Sequence, residues 1–267
     1  MSYNLLKGKK GIIFGALDEH SIAWQAALKI HQEGGIFTLT NTPIAIRLGD
    51  INQLAEQCKA PVIPADATVI PELEGLFTTS MDILGGKIDF ILHSIGTSPN
   101  IRKHKAYGDL NYDWFLKTID ISALSFHKIM QTAEKLEAMN EWGSIVALSY
   151  IAAQRTFPDY SDMAEAKAVL ESIARSYGYR FGKNKRVRVN TISQSPTPTK
   201  AGSGVPSFNS FLDYAQKMSP LGNATAADCA NYIVLLFSDL SRMVTMQNLW
   251  HDGGFSSMGV SEALAAP

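Results

Sequence analysis

The sequence has only two cysteines, Cys58 and Cys229, in 267 residues. Neither belongs to a paired Cys/His spacing, which argues against a disulfide framework and against a structural metal site. Two buried thiols in a reducing compartment are expected instead. Charge of one sign is equally scarce: 24 basic and 25 acidic residues give a formal net charge of −1. A partner with a phosphate backbone would call for a strong basic excess, so no nucleic-acid partner is expected. Long hydrophobic runs are also missing. Tyr232 to Phe237 is far too short to span a bilayer, and Met1-Ser2-Tyr3-Asn4-Leu5-Leu6-Lys7 has no apolar stretch behind its charge. Neither a membrane nor a secretory signal is expected, and the location implied is cytoplasmic. The chain shows no internal repeat, charged block or linker.

What is present is an apolar share of 46%, enough for one large core. Lys9 to Gly15 reads as a short buried strand, Ser21 to Glu33 as a helix closed by Gly34-Gly35, and Ile36 to Thr40 as the next strand. The alternation continues. Helices are expected at Ile51 to Cys58, Pro71 to Leu84, Asp113 to Leu136, Tyr160 to Gly182 and Ala226 to Phe237. Extended segments are expected at Pro61 to Ala65, Phe90 to Ile95, Ser144 to Leu148, Val187 to Ile192 and Asn248 to His251. Such alternation calls for an α/β fold, a Rossmann-like doubly wound parallel sheet with helices on both faces, in one domain over 1–267. Ser195 to Gly204 has no apolar period and reads as a mobile loop, part of a substrate loop at about 195–218.

A doubly wound sheet binds ligands at the carboxyl ends of its strands, and its first turn takes a pyrophosphate. That turn runs Gly15-Ala16-Leu17-Asp18-Glu19-His20-Ser21-Ile22-Ala23 and lacks the G-x-G-x-x-G pattern. Gly15 remains to let the backbone approach a phosphate, and Ser21 can cap a helix or offer a hydroxyl. An ordinary turn with an N-cap serine explains these residues equally well. The second strand ends Thr40-Asn41-Thr42-Pro43, without the acid that usually bonds an adenine ribose. Arg47 stands near enough in sequence to meet a phosphate, or is a solvated arginine. Asp66 is either an adenine-edge contact or a turn cap. His93, before Ser94-Ile95-Gly96, reads as a packed core histidine in an apolar strand.

Beyond the fifth strand the chain carries Tyr150, then Tyr160 and Lys167. At about 100° per residue, seven helical steps leave the latter two within roughly 20° on one face. A tyrosine hydroxyl can donate to an oxygen that gains charge during hydride transfer, and a nearby ammonium favours that charge or holds ribose hydroxyls. On spacing alone, an amphipathic surface helix would show the same pair.

Taken together these residues resemble the bacterial enoyl-acyl-carrier-protein reductases, a divergent branch of the short-chain dehydrogenase/reductase superfamily. The resemblance runs along nearly the whole chain: the turn from Gly15 to Ala23, Asp66, His93 to Gly96, Leu148-Ser149-Tyr150, Val187-Arg188-Val189-Asn190 and Asp252-Gly253-Gly254. Tyr-x₆-Lys with a second tyrosine ten residues upstream is its feature, where commoner reductases of the superfamily have Tyr-x-x-x-Lys. The resemblance implies reduction of trans-2-enoyl thioesters carried on acyl-carrier protein, in fatty acid elongation. It also implies NADH, with NADPH left open, and a homotetramer. By position, it implies that Gly15, Ser21 and Ile22 hold the pyrophosphate side, with Thr42 near the adenine ribose and Asp66 and Ala67 flanking the adenine. Ser94, Ile95 and Gly96 would line the cofactor, and Lys167 would bond the nicotinamide ribose. Pro196, Thr197, Thr199 and Ala201 would close over it. Tyr160 would bond the thioester oxygen, with Ser98 and Tyr150 at the substrate.

Two departures stand out. The loop reads Ser195-Pro196-Thr197-Pro198-Thr199, where the family carries Gly-Pro followed by an apolar and then a basic or polar residue, and Pro198 removes a backbone donor. Thr42 replaces a larger polar residue. Phe208, Phe211, Leu212 and Met218 wall an acyl chain or simply pack a helix. Lys200 and Lys217, or Arg102, Lys103 and Lys105, are candidate docking cations for an acidic carrier. The rival readings are a ketoacyl or other carbonyl reductase, against which the absent Tyr-x-x-x-Lys argues, and a non-enzymatic nicotinamide-binding regulator.

Overall fold

The structure, a computed structural model, describes residues 2–200 and 202–261. Six parallel strands form one sheet in the order β2-β1-β3-β4-β5-β6. These are β1 (Lys10–Phe14), β2 (Ile36–Thr40), β3 (Ile88–His93), β4 (Met139–Ser149), β5 (Arg188–Gln194) and β6 (Asn248–His251). The first five are largely buried, as strands covered on both faces must be, though β5 is mostly polar.

The helices are α1 (Ile22–Gln32), α2 (Pro43–Leu48), α3 (Ile51–Cys58), α4 (Ile70–Leu84), α5 (Pro99–Arg102), α6 (Tyr112–Ile119), α7 (Ser125–Lys135), α8 (Met163–Lys185), α9 (Phe208–Met218) and α10 (Ala226–Phe237). They divide the core in two. Leu73, Phe77, Phe126, Ile129, Leu170 and Phe181 of α4, α7 and α8 pack on one face of the sheet. Trp24, Ile30, Leu54, Ile233 and Phe237 of α1, α3 and α10 pack on the other. This is the doubly wound arrangement expected from the alternation. Cys58 and Cys229 are buried and free in the second of these layers. No helix among the described residues is long and apolar enough to cross a membrane.

Three expectations are corrected. Pro61 to Ala65 does not form a ladder: Val62 makes only an isolated parallel bridge to Leu39, beside the edge strand β2. Pro61 and Pro64 lack the amide donors a strand there would need. The long helix expected from Asp113 to Leu136 is broken in pitch, with a π-helical segment at Asp120–Leu124 joining α6 to α7. This widened turn carries Ser122, whose hydroxyl accepts from Thr97 N and donates to Thr97 O, both at 3.0 Å, and so holds the chain beyond β3. Finally, half of the segment expected as loop at 195–218 is the helix α9, and Ser195 and Thr197 are buried.

Two motifs noted in the sequence turn out to hold the frame. Arg188 is buried and its guanidinium donates to Leu236 O at 2.8 Å and Ser241 O at 3.0 Å, tying β5 to the end of α10. Asp252 accepts from Gly254 N at 3.1 Å and Ser256 N at 2.9 Å, closing the turn after β6.

Candidate active site

A cavity of about 520 Å³ opens along the carboxyl ends of β1, β3, β4 and β5, where a doubly wound sheet places its ligands. At one end lie Gly15, Ser21, Ile22 and Thr42. Ser94, Ile95 and Gly96 form the middle with Lys167. Ser98, Tyr150 and Tyr160 stand toward the other end, and Pro196, Thr197 and Thr199 lie along one side. Gly15 adopts φ +91°, and a Cβ there would fall 2.0 Å from Ser94 O, so the crossing of these two strand ends admits no side chain. Ser21 is the N-cap residue of α1 but makes no capping bond. Its hydroxyl instead donates to Asp18 O at 2.7 Å and accepts from Leu17 N at 3.3 Å, which shapes the turn. Thr42 caps α2, accepting from Ala45 N at 3.3 Å.

Tyr160 and Lys167 do meet in this cavity, but not for the reason of helical periodicity. Helix α8 starts at Met163, so Tyr160 precedes it. Ser161 then takes a left-handed conformation, φ +44°, and Asp162 enters the helix as its N-cap. The kink leaves Tyr160 on the cavity wall while Asp162 is wholly buried. Asp162 Oδ1 accepts from Ser98 Oγ at 2.5 Å, and its Oδ2 accepts from Asn100 Nδ2 and Thr118 Oγ1, both at 2.8 Å. Ser98 is thereby committed: it also accepts from Ile101 N at 3.0 Å, capping α5. Tyr150 and Tyr160 lie ring to ring, with centroids 4.9 Å apart.

The electrostatics favour a phenol and a responsive amine. Burial pushes both tyrosine hydroxyls well above the usual range, and for Tyr150 the neighbouring Tyr160 adds to it. Both are neutral donors at physiological pH. Burial lowers the Lys167 ammonium to about 8, opposed by the charge of Glu171. Lys167 Nζ donates to Leu148 O at 2.8 Å, which engages one of its three protons.

The model of the family described as enoyl-(acyl carrier protein) reductase matches residues 15–256. The chain belongs to this family. It is 34% identical over 266 residues to enoyl-[acyl-carrier-protein] reductase [NADH] 2 of Rhizobium meliloti, covering 97% of each chain. It is 32% identical to the [NADH] FabI of Bacillus cereus, covering 96% of this chain and 99% of that one. Among solved structures, the FabI–NADH complex from Alistipes finegoldii superposes with a TM-score of 0.96 at 62% identity, covering 97% of this chain and 92% of that one.

Set against the family resemblance, several expected residues sit elsewhere. Asp66 and Ala67 do not line the cavity: the Asp66 carboxylate accepts from Thr68 N at 2.8 Å and Thr68 Oγ1 at 2.7 Å as a turn cap, and Ala67 packs into the core. Ala201 lies outside the described residues. Phe208 and Phe211 line the cavity, whereas Leu212 packs behind them and Met218 joins a separate cluster with Ile151 and Phe255. Lys217 is paired with Asp213 at 2.7 Å, and Lys200 reaches across to Asp18 at 2.9 Å. Arg47 is exposed on α2 and away from the cavity. His93 is a core histidine bonded to Ser125 at 2.8 Å, with burial holding it down to about 3 and therefore neutral.

Gln194, Ile101, Met163 and Val205, which no sequence motif singles out, also line the cavity. Gln194 was discoverable, because it ends β5 and strand carboxyl ends carry the site. Its side chain accepts from His251 Nδ1 at 2.6 Å and donates to Ala224 O at 3.0 Å. The other three carried no chemical signal beyond being apolar.

Proposed function

We propose that this protein reduces the trans-2 double bond of enoyl thioesters on acyl-carrier protein, with NADH as reductant. The observation that carries the reading is one cavity holding a neutral phenol, Tyr160, within reach of the same space as a buried ammonium, Lys167. The cavity suits a dinucleotide: Gly15 and the turn after β1 line one end, and Lys167 has two protons to give. Gly15, Ser21 and Ile22 hold the pyrophosphate side in this reading, with Thr42 toward the adenosine and Ser94, Ile95 and Gly96 along the nicotinamide half. Pro196, Thr197 and Thr199 cover it. Lys167 donates to the ribose hydroxyls.

NADH, when bound, would supply a hydride to the β-carbon of the enoyl group, and a proton taken up from solvent at the α-carbon would complete the saturated thioester. The protein's part is electrostatic. Negative charge develops on the thioester oxygen, and the Tyr160 hydroxyl donates to it there. Because burial keeps that hydroxyl protonated, it acts as a hydrogen-bond donor from the outset. Tyr150 packs against the Tyr160 ring and restricts its rotation. Ile101, Met163, Val205, Phe208 and Phe211 keep the acyl end dry, which strengthens the hydrogen bond to the oxygen. A homotetramer in the cytoplasm belongs to the same proposal.

The test is to follow NADH and NADPH absorbance with an enoyl thioester and with a 3-ketoacyl thioester. Turnover of the enoyl substrate with NADH is expected. Turnover of the ketoacyl substrate alone would assign a carbonyl reductase, and cofactor binding without turnover on either would assign a regulator.

A further inference from the structure

Glu171 is a buried carboxylate to which the mechanism above gives no part. It sits one turn beyond Lys167 on α8 and is 4% exposed. A carboxylate buried without compensation is costly, so its surroundings should show what holds it. Its Oε1 accepts from Ser149 Oγ at 2.7 Å and its Oε2 from Gln154 Nε2 at 2.8 Å. Lys167 donates to Leu148 O, the neighbour of Ser149 in sequence. Two α8 side chains one turn apart therefore grip two consecutive residues at the end of β4, immediately before Tyr150. Both are on the face of α8 turned to the sheet, as an i,i+4 pair must be.

The charges around Lys167 single out Glu171. From β3, His93 is held neutral in the core. Beyond β4 and ahead of α8, Tyr150 and Tyr160 are neutral phenols. Asp162, at the head of α8, is bonded by Ser98, Asn100 and Thr118. On the π segment before α7, Asp120 is paired with Lys128 at 2.6 Å. Elsewhere in the cavity Asp18 is paired with Lys200, and Arg102 stands at the acyl end. Among the described residues, Glu171 is the charge that opposes the effect of burial on the Lys167 ammonium.

We propose that Glu171 is a positioning residue, the buried counter-charge that keeps the Lys167 ammonium available to the cofactor ribose and fixes the end of β4 beside it. The inference rests on the assignment of Lys167 to the ribose made above. Glu171 itself touches neither cofactor nor substrate in this account.

Glu171→Gln removes the charge and keeps the shape, since the amide can accept from Gln154 and donate to a rotated Ser149 hydroxyl. The first readout is competitive acylation of Lys167 across pH in cofactor-free protein, quantified by peptide mass spectrometry. The wild-type midpoint is expected near 8. Loss of an opposite charge one helical turn away should lower it by about one unit. The charged fraction at pH 8 then falls from about one half to about one eleventh, so NADH should bind about fivefold more weakly there, with little change at pH 6. Glu171→Asp retains the charge and should keep the wild-type midpoint even if its folding is weakened. A midpoint unmoved in Glu171→Gln overturns the proposal, as does an Asp variant whose midpoint falls as far as that of Gln. A shifted midpoint with unaltered NADH binding keeps the counter-charge and overturns the ribose assignment of Lys167.

Discussion

Replacing Asp162 by alanine should separate the architecture of the site from its chemistry. Its carboxylate is wholly buried and takes three hydrogen bonds, from Ser98, Asn100 and Thr118. Hydrogen bonds to a charged group contribute about 1.5–3 kcal/mol each. The three losses are unequal. Thr118 Oγ1 can still donate to Trp114 O at 2.9 Å, and Asn100 Nδ2 keeps Asn111 O at 3.1 Å. Ser98 has no second acceptor recorded among the described residues. Ser98 Oγ and the second Asn100 Nδ2 proton are thus left without an acceptor, two bonds' worth or about 3–6 kcal/mol, close to the usual cost of opening a buried charged network. For a chain of this size that corresponds to a fall in Tm on the order of 10 °C. Turnover should fall as well, because the same carboxylate anchors the chain two residues after Tyr160. Urea unfolding at constant protein concentration, followed by circular dichroism, measures the first effect. Asp162→Asn keeps one acceptor and should lie between wild type and alanine. An alanine variant within about 1 kcal/mol of wild type would refute the idea that this hub sets the geometry of Ser98 and Tyr160.

Lys200 and Asp18 join the covering loop to the first turn of the sheet at 2.9 Å, with Asp18 nearly buried. Lys200→Met should weaken NADH several-fold by leaving a lone carboxylate beside the pyrophosphate. Adding Asp18→Asn should restore most of the loss, and additivity of the two changes in fluorescence titrations would refute the coupling. At the opposite end of the sheet, Glu33 accepts from Tyr3 N and Leu5 N and pairs with Lys29 at 2.9 Å. Its burial alone would raise the carboxyl, but Lys29 and the two amides outweigh this and hold it down to about 2 from 4.5. Since the folded value is the lower, its stabilisation is present above 4.5 and is lost as pH falls toward 2. Glu33→Gln should flatten urea midpoints over that acid range, and an unchanged slope would count against it.

The fold was largely legible because buried parallel strands and amphipathic helices leave different apolar periods. The misplaced segments have separate causes. Pro61 to Ala65 has a strand's composition, but two prolines deny it a ladder. The π segment at Asp120–Leu124 depends on Ser122 reaching Thr97, a tertiary contact that no local pattern announces. The spacing of Tyr160 and Lys167 points to one helix face, yet the helix begins only at Met163. The kink at Ser161 that replaces it is invisible in sequence, since serine is not a usual left-handed residue. Asp66 shows one residue meeting two expectations: its Oδ1 caps its own turn, and a contact with the adenine edge stays a proposal. Nothing in the sequence marks Glu171 and Asp162, and only burial gives them meaning.

The central claim is that a protonated Tyr160 donates to an oxygen that gains charge as an enoyl thioester is reduced. Tyr160→Phe removes that one hydroxyl and leaves the ring against Tyr150. Turnover of a crotonyl thioester with NADH should fall by about 10²–10³, while the Kd for NADH, measured by fluorescence, stays at the wild-type value. Wild-type turnover in the phenylalanine variant would contradict the account.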